Sequence, residues 1–397
     1  MNSRVLDEAE CVTSVLLSIT VAHLVGATNV AWAAFAGLLV MRGHATDTLQ
    51  RGLLRTVGTV LGGVAAFLVV PLLAGGLVLG ATGLLVVGTL TIYMALTARH
   101  AYAWLISGLT FLMVMLDKIE HPRAELADFV QTRLLENVTG TGVCVLVSVA
   151  STLTLRRWWP AIRTPALTPL GWHPDAFRHA LQGGIALALL IILAHQMPVP
   201  ALAQGAIAIV AVMLVPTSEL RESTLSPVTN RLFYRLIGCA AGGAFAGLFV
   251  FIANGSAALL MAGTALGVIV GRHWETGDHA HRYAGTQFTF AVLITLVPDS
   301  FTDASIVPGW QRLLAVFTGM ALIEPVLITF HAINRLARRW SVPTGKQGPP
   351  DAGNGPADQT NAPRLLARHD GAHPEEGGKS HEQPLELSST KNVSAAT

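Results

Sequence analysis

The residues best placed to do chemistry in this sequence are two pairs of arginines. Arg51 and Arg55 stand one helical turn apart, and so do Arg231 and Arg235. A guanidinium matches a carboxylate through two parallel hydrogen bonds, so each pair could draw a small organic anion to its side of the protein. The plainer alternative makes them anchors whose heads snorkel to lipid phosphates. A second kind of chemistry is proton transfer, and Glu324 is its first candidate. In an apolar stretch opening near Arg312, it lies about 18 Å along the helix at 1.5 Å per residue. It is the only acid in residues 1–340 that the span assignment below places near mid-membrane. A carboxyl group there could bind and release a proton as its surroundings alternate between dry and wet. Pro325 follows it, freeing a carbonyl one turn earlier and offering a kink. The alternative is a protonated glutamate bonded between helices for structure alone.

Other polar residues are weaker candidates. His23 and His195 each stand near the end of the first helix of a half, where an imidazole could titrate near neutral pH or simply sit half-solvated. Gln204 and Gln287, with Thr286 and Thr289, could line a polar path or bond between helices. Arg133 and Arg312 are basic residues on an otherwise acidic face. Glu136 and Asn137 beside Arg133 suggest a local ion pair as readily as an exit site. No phosphate loop, HExxH or GxSxG string is present, so no enzyme class is indicated and no cofactor is expected. Cys11, Cys144 and Cys239 lie apart in apolar runs without metal-ligand spacing. The charges form no basic, aromatic-interleaved surface for nucleic acid.

These residues are positioned by a chain that is written twice. Arg51–Gly63 (RGLLRTVGTVLGG) returns as Arg231–Gly243 (RLFYRLIGCAAGG), both reading R-x3-R-x2-G-x3-G-G. Ala31–Met41 aligns with Ala203–Met213, and Arg133–Gly140 (RLLENVTG) with Arg312–Gly319 (RLLAVFTG), in the same order. Gly58 and Gly62, and their counterparts Gly238 and Gly242, are small residues at helical spacing that permit close packing of helices. Internal repeats on this scale are typical of transporters.

Composition points to the membrane. Hydrophobic residues make up 52% of the chain and charged ones 13%, with mean hydropathy +0.53, well outside the range of soluble domains. The apolar runs predict an all-α polytopic protein of about twelve spans, two parallel six-helix repeats. The spans fall near 11–27, 29–41, 56–73, 75–97, 101–116 and 134–155, then 176–196, 200–215, 236–253, 255–271, 284–298 and 311–333. With the N-terminus in the cytoplasm, seventeen arginines fall on that side: Arg4, Arg42, Arg51, Arg55, Arg99, Arg156, Arg157, Arg163, Arg178, Arg221, Arg231, Arg235, Arg272, Arg282, Arg335, Arg338 and Arg339. Four basic residues fall on the other: Lys118, Arg123, Arg133 and Arg312. That split satisfies the positive-inside rule with both termini cytoplasmic. It also separates residues 12–41 into a hairpin, as does the Met197–Pro200 break in the second half.

The domains expected are thus a membrane repeat at 10–155, a short interfacial linker at 156–175, a second repeat at 176–335 and a polar tail at 341–397. The linker carries Trp158, Trp159 and Trp172 beside arginines, as headgroup-layer segments do. The tail is too poor in apolar residues to offset chain entropy and reads as disordered.

The doubled hairpin, the doubled R-x3-R-x2-G-x3-G-G and the doubled RLL-x3-TG together resemble the fusaric acid resistance (FUSC) family over about residues 10–335. That resemblance implies an integral transporter of the bacterial inner membrane that exports small aromatic or weak organic acids. Unlike larger members, this chain has no long cytoplasmic domain between its halves. The expected partners are the lipid bilayer and a small organic anion, with homo-oligomerisation left open. The other readings are a passive organic-anion channel, which suits arginine-lined paths, and a membrane scaffold whose tail recruits a partner. A buried glutamate favours proton coupling over the channel, and the matched arginines favour anion handling over the scaffold.

Overall fold

On the third helix large apolar side chains point outward and small ones point in. On the helix that begins at Ala45, Gly52, Gly58, Gly62, Gly63 and Ala66 are buried, while Leu53, Leu61, Val64, Phe67, Leu68 and Leu72 are exposed. A soluble core would demand the reverse; lipid as solvent accounts for it, because close packing then becomes the force that brings helices together. The computed structural model describes residues 3–160, 171–197, 199, 201–218, 225–277, 279, 281–301 and 304–340, apart from the side chains of 337–340. The proposed tail, Pro198, Pro200, Arg163 and Arg221 lie outside the described residues.

Among the described residues there are twelve helices and no strand. They are α1 (Ser3–Leu24), α2 (Val30–Val40), α3 (Ala45–Leu73), α4 (Leu77–Thr97), α5 (Ala101–Glu120), α6 (Leu126–Thr154), α7 (Pro174–Gln196), α8 (Leu202–Met213), α9 (Leu225–Ala253), α10 (Ala257–Glu275), α11 (Arg282–Leu296) and α12 (Val307–Trp340). Eight of them, α3 to α7, α9, α10 and α12, are long and apolar enough to cross a membrane. The expected twelve full crossings are therefore not met by length and composition. The 11 residues of α2 and the 12 of α8 reach about 17–18 Å, roughly half of a ~30 Å hydrocarbon core.

Several helices begin earlier than hydropathy suggests: α1 at Ser3, α3 at Ala45, α6 at Leu126, α9 at Leu225 and α12 at Val307. Their first turns carry polar residues, proline or glycine, which lower a hydropathy window without preventing a helix start. This corrects the placement of Arg133 and Arg312. They are not loop residues but lie one to two turns inside α6 and α12.

Matched contacts recur in the two halves. α3 packs on α5 and α6, and α9 on α11 and α12. Contacts between halves are also reciprocal: α4 meets α7 and α10 meets α1, while α5 meets α8 and α11 meets α2. A Cβ added to Gly58 would stand 2.6 Å from the Ala103 carbonyl, and one on Gly62 would strike the Ser107 carbonyl. On the other side, Gly238 and Gly242 lie as tightly against the Ala284 and Phe288 carbonyls. The obstacle is backbone, which cannot rotate away. Gly62→Leu and Gly242→Leu are each expected to lose about 1–3 kcal/mol through overpacking. Fluorescence-detected size exclusion should show less monodisperse protein for both, to a similar degree. Full tolerance of both would remove the packing role.

Candidate functional site

The two short helices face each other across the middle of the protein, and their N-termini are held from opposite halves. The Val30 N–H that opens α2 donates to Asp299 Oδ1 at 3.0 Å, from the loop between α11 and α12. The Leu202 N–H that opens α8 donates to Glu120 Oε1 at 3.3 Å, at the end of α5. Each carboxylate satisfies an orphan donor at the positive end of a helix. Partial burial pushes the Asp299 carboxyl above its usual range, opposed by the Val30 bond and by His23. A raised folded pKa means that this group's stabilising contribution is full at low pH and lost as pH rises through the folded value. Asp299→Asn keeps an acceptor and removes the charge, so it should melt at or slightly above wild type at neutral pH. That margin should vanish as pH falls below the carboxylate range, about 3.9. Asp299→Ala loses the acceptor and should cost about 1 kcal/mol. Equal melting of Ala and Asn variants would show that the cap is idle.

Between α2 and α8 lies a cavity of about 130 Å³, closed also by α3, α5, α6, α11 and α12. Its walls are largely apolar and aromatic, including Trp32, Phe35, Met113 and Phe290. Into them project Arg55, Arg133 and Arg312, and one acid, Glu136. Arg55 donates to Asn137 Oδ1 at 2.8 Å and to the Tyr102 hydroxyl at 3.0 Å. Arg133 donates to Glu136 Oε2 at 3.2 Å, with its guanidinium 4.2 Å above the Trp32 ring. Arg312 donates to Gln204 Oε1 at 2.9 Å and to Gln287 Oε1 at 3.5 Å. All three arginines are buried or nearly so. Three guanidiniums against one carboxylate give the cavity a net positive charge in a low-dielectric wall, which favours an anion.

Of the two arginine pairs, only Arg55 lines this cavity. Arg51 stacks 3.9 Å from the Tyr102 ring and donates to the Leu39 carbonyl. Arg231 lies over Tyr283, and Arg235 donates to the Tyr283 hydroxyl at 3.1 Å. Gln204 lines the cavity; Gln287 is buried behind it on Arg312. Glu324 stands midway along α12, half-buried, where Oε1 accepts from Thr229 of α9 at 2.8 Å, and it is not in the cavity wall. Glu136, by contrast, is 1% exposed and does line the cavity. His23 and His195 do not reach the cavity: His23 stacks on Phe301 at 4.8 Å, and His195 is exposed at the end of α7.

Two features went unread in the sequence. Tyr102 and Tyr283 gather the arginine pairs, and the repeated His-x-Tyr at His100 and His281 is the signal that marks them. An ion cluster also joins the halves at the start of α1. Arg156 donates to Glu10 at 2.8 Å and lies 3.6 Å from Asp7, while Asp7 pairs with Arg272 of α10 at 2.8 Å. Ser151 also donates to Glu10, and His273 meets Glu8 at 2.9 Å. The cysteines are buried, and no metal-holding cluster occurs among the described residues.

No curated protein and no solved structure matches the chain. Residues 17–147, from within α1 to late in α6, match the family model described as fusaric acid resistance protein-like. With eight helices of membrane-crossing length, the chain is a multi-pass membrane protein, and its first half is similar to the fusaric acid resistance-like family.

Proposed function

We propose that the chain exports small aromatic or weak organic acids across a bacterial inner membrane in exchange for protons. In this reading residues 10–155 and 176–335 are parallel repeats about a pseudo-twofold axis along the membrane normal, and both termini are cytoplasmic. The reciprocal packing of α4 on α7 and α10 on α1 supports the repeat, and the arginine distribution supports the orientation. The reading is carried by the aromatic-walled cavity with three buried guanidiniums and one carboxylate. Such walls hold a flat apolar body, and the guanidiniums hold its charge.

Inside-out vesicles containing the full chain test it with benzoate, salicylate and indole-3-acetate. An acid lumen should drive accumulation above that of empty vesicles. A passive channel would instead follow the anion's electrochemical gradient, with little response to a pH difference alone. No flux of any of the acids would refute the transport reading. Glu324 is the proposed coupling carboxylate, since a charge at this depth is costly in lipid and a neutral form much less so. Glu324→Gln should keep the fold and lose accumulation driven by the pH difference. Wild-type accumulation at equal protein level would leave Glu324 a structural partner of Thr229.

A further inference from the structure

The three cavity arginines are not equivalent, and the difference assigns the substrate's carboxylate to one of them. Arg133 and Arg312 enter the cavity from matching strings, Arg133-Leu134-Leu135-Glu136 and Arg312-Leu313-Leu314-Ala315. Residues three apart on a helix are neighbours, so Glu136 reaches back to Arg133, whereas Ala315 ends at its Cβ and cannot reach Arg312. Arg133 therefore already holds a carboxylate supplied by its own helix. Arg312 is 3% exposed and bonds only the neutral oxygens of Gln204 and Gln287, with the Cys239 thiol as a further neighbour. Its Nε, like that of Arg133, has no hydrogen-bond partner, but no carboxylate pairs with Arg312 among the described residues. Arg55 is intermediate, its Nε and Nη1 taken by Asn137 and Tyr102. A buried guanidinium without a counter-charge is costly, and an entering carboxylate supplies one.

We infer that Arg312, not Arg133, receives the carboxylate of the transported acid, in the place beside it that Glu136 fills beside Arg133. This rests on the cavity being the transport site proposed above. The Phe290 ring lies 5.5 Å from the Arg312 guanidinium, with Phe35 edge-on to it at 5.2 Å. The ligand so defined is a monocarboxylate with its charge on Arg312 and a flat apolar body against Phe290 and Phe35. Arg133 and Glu136, already paired, form another part of the wall.

The test is benzoate binding to the purified full chain by titration calorimetry. Ala315→Glu copies the Arg133–Glu136 arrangement onto Arg312 and should weaken benzoate at least about tenfold, or 1.4 kcal/mol. Ala315→Gln has nearly the same volume without the charge and should stay within about threefold of wild type. Arg312→Gln should lose at least as much as Ala315→Glu. Equal losses by Ala315→Glu and Ala315→Gln would show crowding alone and overturn the assignment. If Ala315→Glu does not fold, Arg312→Gln and Arg133→Gln decide, and a larger loss at Arg133 overturns it. Failure of wild type to bind benzoate, salicylate or indole-3-acetate would overturn the transport reading itself, whereas binding with the wrong arginine dependence overturns only this assignment.

Discussion

Arg156→Gln is expected to destabilise the protein by about 3–5 kcal/mol, the usual cost of removing one partner from a buried ion pair. Glu10 is 5% exposed, and its carboxylate would keep the Ser151 hydroxyl but lose the guanidinium that compensates its charge. Asp7 would retain Arg272, so the loss centres on Glu10. A double variant, Arg156→Gln with Glu10→Gln, removes the stranded charge and should recover much of the loss. Thermal unfolding of wild type, both single variants and the double variant in one detergent measures this coupling. A single Arg156→Gln variant that melts with wild type would mean the pair is solvated in the membrane-bound protein.

The second large effect concerns transport. Arg55→Gln should slow benzoate flux about tenfold, because it removes a positive charge from the cavity wall that draws the anion in without itself holding the carboxylate. Arg235→Gln, at the matching position, removes a bond to Tyr283 but no group from the cavity wall. It should alter melting and leave flux within a few-fold of wild type. Initial rates in reconstituted vesicles, normalised to inserted protein, make the comparison. If the two variants lose flux equally, the cavity does not distinguish the halves.

That contrast also shows how far the sequence could be read. R-x3-R-x2-G-x3-G-G marked both glycine contacts, because a glycine against a neighbouring carbonyl depends on local spacing and on a helix being there at all. The same motif could not tell Arg55 from Arg235. Their difference depends on Asn137, whose counterpart in the aligned strings is Val316, and on how α2 and α8 close the cavity. Hydropathy placed the long helices but trimmed their polar first turns. It thereby set Arg133, Glu136 and Arg312 at the edges of spans, although all three line the cavity with Arg55. Glu10 was lost for the same reason: it stood before the first apolar run, and only folding brings Arg156 to it. Glu324 was conspicuous because its flanks are apolar, but a helix has sides, and linear depth does not say which side faces the cavity.

The trans-held ends of α2 and α8 bear on how such a protein can move. The inner wall of each half is fastened by the other half, α2 through Asp299 and α8 through Glu120. Neither short helix can tilt or fray alone without first breaking a bond owned across the seam. Movement of either short helix against the other half must therefore break that bond or carry the residue that holds it along.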